Sequence, residues 1–268
     1  MPDDLGRHPR HGAIADTFSP AMGTGTARSS AADSSLLELW DRLVSTAERL
    51  EPGDWARPTP DPGMLVRDLV GHVAAGATPR APGPGGPAEL LERLKAAREA
   101  MVGRALGAAG TGAADPGDAA LAAAGHGTVP LARRLLGAAC LDLYVHSHDL
   151  GASLGAGADL EEDSVALAEA CGYLLRLAPR LLVRSGGRAD LRIAVAGLDP
   201  AVATGAGAPA PDGEAKRAEL AATPAAFVLL LSGRADPASL RAAGALEWSG
   251  AAAGTFVERA RLFPGPDA

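Results

Sequence analysis

The stretch LDLYVHSHDL, residues 141–150, sets two carboxylates and two histidines in a run otherwise built of alanine and leucine, in a chain with six histidines in all. From Pro130 to Leu154 the sequence reads as one long helix, with proline near its first turn and a glycine-rich stop at Gly155-Ala156-Gly157. On such a helix, residues four apart differ by about 40° of rotation and about 6 Å of rise, so Asp142 and His146 project side by side. Asp149 falls on the same face, whereas His148 is turned roughly 120° from Asp142, toward Tyr144. A carboxylate and a histidine at one-turn spacing suit a divalent ion, and helix bundles build such sites from facing helices.

Working outward from this helix, the remaining periodicities predict its partners. Leu36, Trp40, Leu43, Val44, Ala47 and Leu50 fall at helical spacing behind an Asp33/Ser34 cap, and Glu51-Pro52-Gly53-Asp54 ends that helix. A second helix is expected from about Met64 to Ala75, with Leu65, Leu69 and His72 on one buried face. A third spans about Pro87 to Ala105, and Gly107 to Gly127 reads as a flexible connection. A further helix, Asp159 to about Val183, opens on acidic residues that complement a helix N-terminus. The pattern fits an antiparallel four-helix bundle.

After Gly186-Gly187 the character changes. Residues 190–195 alternate polar and apolar as a strand does, and 225–231, 243–248 and a helical 251–262 complete a short α+β segment. The fold class expected is therefore α+β: residues 1–32 a disordered leader, 33–185 a helix bundle, and 186–268 a small α+β domain.

A net charge of −7, with basic residues scattered along the chain, excludes a nucleic-acid surface. Apart from Lys95 and Lys216, all 25 basic residues are Arg, and Asn and Gln are missing, a bias of GC-rich coding. No secretory signal and no apolar stretch of about 18 residues is present, so a soluble, cytoplasmic protein with no membrane contact is expected. Cys140 and Cys171 lie in apolar helical surroundings and read as core residues. There is no Walker loop, G-x-S-x-G elbow or HExxH.

Two ligands on one helix do not make a tight site, and the other histidine expected in a helix is His72. His8, His11 and His126 fall in segments read as disordered or flexible. The residues alone leave alternatives open: an Asp-x-x-x-His pair also forms a helix-surface hydrogen bond, and His72 also suits a core position bonded to a backbone carbonyl.

Three stretches resemble the mycothiol-dependent maleylpyruvate isomerase family. Residues 55–72, WARPTPDPGMLVRDLVGH, are similar to its W…PT-x-CPGW-x-VRDL-x-x-H segment; residues 142–150 are similar to its E…H-x-x-DL; and Leu229-Leu230-Leu231-Ser232-Gly233-Arg234 is similar to a segment of its second domain. The resemblance covers about residues 35–264. It implies a DinB-like four-helix metal domain joined to a sterol-carrier-like α+β domain, with zinc on His72, Asp142 and His146. It further implies an enzyme that activates mycothiol or a similar thiol against a small electrophilic substrate, by transfer or isomerisation. Under this reading His148, which stands where the family has Trp, is a further ligand or a proton carrier, and Asp149 orients a ligand imidazole or bonds the helix end. Arg234 either clamps an anionic group of thiol or substrate or forms a structural salt bridge. Asp142 replaces the family's Glu, and Asp61 and Met64 replace its Cys and Trp. A non-catalytic metal- or ligand-binding bundle, or an enzyme of specialised metabolism that uses no thiol, are the alternatives on the same scaffold.

Overall fold

Leu36, Leu39, Trp40, Leu43, Val44 and Ala47 recur at three- and four-residue intervals, and the stripe they form is buried along α1, Gly25–Glu48. Burying it removes apolar surface from water at roughly 25 cal/mol per Å², the main favourable contribution to docking such a helix. In the computed structural model, which describes residues 25–76, 85–109, 131–156, 164–206 and 218–262, α1 packs on three other long helices. These are α3, Pro87–Ala109; α4, Leu131–Ser153; and α5, Val165–Arg184. The short α2, Val66–Ala74, lies against α3 and α4. At the α4/α5 crossing Gly137 lets the backbones meet: a Cβ there would stand 2.9 Å from the Glu169 carbonyl oxygen and from the Tyr173 Cβ.

The α+β segment forms one four-stranded sheet of order β2-β1-β3-β4, with β1 Leu191–Val195, β2 Ala201–Ala203, β3 Ala218–Ala222 and β4 Leu246–Ser249. β1 pairs antiparallel with β2 and parallel with β3, and β3 pairs antiparallel with β4. Alternate residues of β3 are buried, so one sheet face turns inward. After β3 comes α6, Pro224–Leu231, buried at Pro224, Ala226, Phe227, Val228, Leu230 and Leu231 and packed on α4 and α5. A helix apolar all round belongs in a core. The shorter α7, Pro237–Ala242, and α8, Ala251–Arg259, pack on β4, and α8 also packs on β3.

The expected α+β class with a helical bundle is the one observed, and the boundaries move for local reasons. Residues 25–32, read as the end of a disordered leader, are helical, because extending an established helix costs far less than nucleating one. α5 begins at Val165 behind Ser164, whose Oγ accepts the Leu167 N–H at 3.1 Å, and not at Asp159. Residues 1–24, most of the expected 107–127 connection and the acidic run 159–163 lie outside the described residues. Among those described, no helix is long and apolar enough to cross a membrane.

Candidate metal centre

The segment leading into α2 is shaped by its own sequence. Asp61-Pro62-Gly63-Met64 closes a type II turn: the Met64 N–H donates to the Asp61 carbonyl at 3.1 Å, proline takes the second position, and Gly63 supplies the required φ of +81°. Thr59 clamps the turn, its N–H and hydroxyl both donating to the Met64 carbonyl, at 2.9 and 3.0 Å. Asp68 then accepts the Leu65 N–H at 3.1 Å, satisfying a donor at the helix start. α2 thereby buries Val66, Leu69, Val70 and Val73 and holds His72, partly buried, toward α4.

His72 meets Asp142 and His146 there. Each of the three offers one ligand atom, and these atoms lie within 4.8 Å of one another. His146 Nε2 is 3.3 Å from Asp142 Oδ1, and the two imidazoles meet edge to face, centroids 5.0 Å apart at 71°. Bonds of about 2.0–2.1 Å around a tetrahedral zinc set neighbouring donors about 3.3–3.4 Å apart, so the Asp142–His146 edge has the length a zinc ion needs. Two imidazoles and one carboxylate are also the donor set of catalytic zinc sites with one position open. The residues therefore fit a divalent ion.

Electrostatics favour the same use. Burial, helped by the neighbouring His146, holds the His72 pKa below its usual value against the opposing pull of Asp142 and Asp61. The neutral imidazole is the ligating form. His146 is buried, and its Nδ1 has no hydrogen-bond partner among the described residues.

Arg234 reaches the bundle from the end of α6 through a Schellman turn. The Gly233 N–H donates to the Leu230 carbonyl at 3.1 Å and the Arg234 N–H to the Leu229 carbonyl at 2.8 Å, with Gly233 at φ +75°. The side chain grips Asp149 of α4 in a fork, Nε at 2.9 and 3.0 Å from its two oxygens and Nη2 at 2.8 Å from Oδ2. Nη2 also donates to Asp61 Oδ2 at 3.1 Å, and Nη1 to the Ser232 carbonyl at 3.4 Å. Burial alone would raise the pKa of Asp149; His148 and Arg234 outweigh it and hold the carboxyl below its ordinary value.

Three of the residues singled out in the sequence thus come together as one cluster, and three stand beside it. Asp149 accepts from Arg234 and, among the described residues, bonds neither His72 nor His146. His148 is not in the three-donor cluster. Its Nδ1 is buried 3.6 Å from Asp149 Oδ1, beyond hydrogen-bond range. Asp61, met in the sequence only as a replacement for the family's Cys, is the residue whose partner was missed. The Pro-Asp-Pro-Gly turn signal places it at a tight corner, but nothing in the pattern pairs it with Arg234.

No curated protein matches this sequence. Among solved structures, crystal structures of the mycothiol-dependent maleylpyruvate isomerase and of its histidine-to-alanine mutant each align at 15% identity and a TM-score of 0.40. Each alignment covers 84% of this chain and 92% of the other. The resemblance read in the sequence holds over the stretch that carries His72: residues 36–79 match the family described as mycothiol maleylpyruvate isomerase N-terminal domain.

Proposed function

We propose that the chain is a zinc-dependent enzyme that activates mycothiol, or a similar low-molecular-weight thiol, for transfer to a small electrophile or for isomerisation of one. The observation that carries this reading is the three-donor cluster of His72, Asp142 and His146, two helices converging on one point with ligand atoms within 4.8 Å. The family match over residues 36–79 supports mycothiol as the thiol. A divalent ion with an open position supplies a lowered thiol pKa, hence a nucleophile at neutral pH.

The chain's own residues prepare for that chemistry. His72 is kept neutral by burial and by His146, so it competes weakly for protons. Asp142 contributes the one formal negative charge of the donor set, leaving a bound divalent centre cationic. The Arg234–Asp149 fork fixes α4 against the segment after α6 and so ties the α+β unit, which we place from about residue 186 onward, to the bundle. A thiolate that adds to a conjugated double bond, allows rotation and is then expelled returns the isomer. Addition followed by protonation leaves a thiol conjugate.

The test is proton release. At neutral pH the zinc-loaded protein should release close to one proton per thiol bound, and metal-free protein none. Equal release from both forms would reject thiol activation at this site.

A further inference from the structure

We infer that Asp61 is a specificity-determining residue, closing Arg234 to anionic groups so that the site takes an electrophile uncharged at that end. This rests on the reading of the cluster as a catalytic metal site and deepens it by naming a substrate class.

The geometry of the guanidinium carries the argument. Arg presents two edges able to hold a carboxylate with a pair of parallel N–H bonds. The Nε/Nη2 edge is filled by Asp149, whose side chain is fully buried. The Nη1/Nη2 edge would be the one left for a ligand. Asp61 Oδ2 sits on it, 3.1 Å from Nη2, while Nη1 donates to the Ser232 carbonyl. Unlike Asp149, Asp61 is 37% exposed at its side chain, so it covers the outward side of the cation. Two carboxylates on one guanidinium leave the trio at net −1, which repels a further anion. Asp61 also acts on the charge of His72, one of the three donors.

The local backbone makes the arrangement a built one. Asp61 holds its turn through its main-chain carbonyl and N–H, the latter donating to the Thr59 hydroxyl at 3.2 Å. Its carboxylate is thus free of any structural duty in the turn and is given to Arg234. Serine or asparagine can replace it without undoing the turn.

The experiment uses the full chain, zinc-loaded and metal-free, as wild type, Asp61→Ser and Asp61→Asn, titrated calorimetrically with succinate. Zinc content and thermal melting are measured on the same samples. Wild type should bind succinate weakly or not at all. Asp61→Ser should bind it roughly tenfold or more tightly, as expected for a regained charge-assisted pair, and Asp61→Asn should gain less, because its amide still covers the edge. The gain should survive removal of zinc, because Arg234 and not the ion holds the anion. Wild-type binding as tight as that of Asp61→Ser, or folded variants with no gain, would overturn the inference. A chain that takes up no zinc yet gains succinate binding on substitution would reject the metal reading, and with it the substrate class, and leave only the closing of Arg234 to anions by Asp61.

Discussion

Replacing Arg234 with alanine tests how the α+β segment is tied to the bundle. The substitution leaves Asp149, with no exposed side-chain surface, without its forked partner. Breaking a buried ion pair by removing one member costs about 3–5 kcal/mol, because a desolvated charge remains. The half-exposed contact to Asp61 adds at most about 1 kcal/mol. For a chain of this size each kcal/mol shifts the melting temperature by about 2–4 °C, so a fall of roughly 6–24 °C is expected at pH 7. The pH dependence identifies the cause. In wild type the Asp149 pKa is lowered in the fold, so its stabilisation is full above the ordinary carboxylate pKa and fades as pH falls through the lowered value. Without Arg234, burial is opposed by His148 and His146 but no longer by the guanidinium, so the pKa rises from its wild-type value and the folded variant binds the proton more readily than the wild-type fold does. Urea unfolding of both proteins from pH 7 to pH 4 should therefore show the gap closing toward acid. A gap below about 1 kcal/mol, or one constant across that range, would refute the reasoning.

Other outcomes follow from the same geometry. Gly233→Ala forces a side chain into φ +75°, which should cost about 1–2 kcal/mol by urea unfolding and displace Arg234; the nearest atom to the new Cβ, Arg261 Cδ, is 3.6 Å away, so strain and not collision would be responsible. In metal-free protein, NMR titration should place the His72 imidazole below 6.5, and His146→Ala, by removing the neighbour that adds to the effect of burial, should move it upward. Gly63→Ala should destabilise the type II turn at φ +81° by about 1 kcal/mol and loosen zinc, read as faster loss to a chelator, because that turn sets the start of α2.

Helical periodicity made the bundle legible, since Leu36 to Ala47 carry a stripe that only a partner helix can cover; in α2 the face read from Leu65, Leu69 and His72 is shifted, the buried residues being Val66, Leu69, Val70 and Val73, with Leu65 preceding the helix. The cluster was legible for a related reason: the one-turn spacing of Asp142 and His146 is a local fact, and few other histidines were available as a third donor. The rest depends on distance along the chain. Arg234 meets residues 85 and 173 positions away, a pairing that no local pattern encodes. The segment 225–231 is apolar without a period, so its helical state follows from its burial against α4 and α5 and not from its sequence. β2 and β3 are short and alanine-rich, too weak as strands to be read without their partners. Gly233 at φ +75° lets α6 end, and the direction in which Arg234 leaves it depends on the Schellman bonds to Leu229 and Leu230.

The account stands most directly on whether His72, Asp142 and His146 hold one metal ion together. Elemental analysis of wild type, His72→Ala and His146→Ala after exhaustive dialysis against trace zinc measures it, with circular dichroism confirming that each remains folded. Wild type should retain close to one zinc per chain and both variants close to none. A folded His72→Ala protein that keeps its zinc would contradict the site.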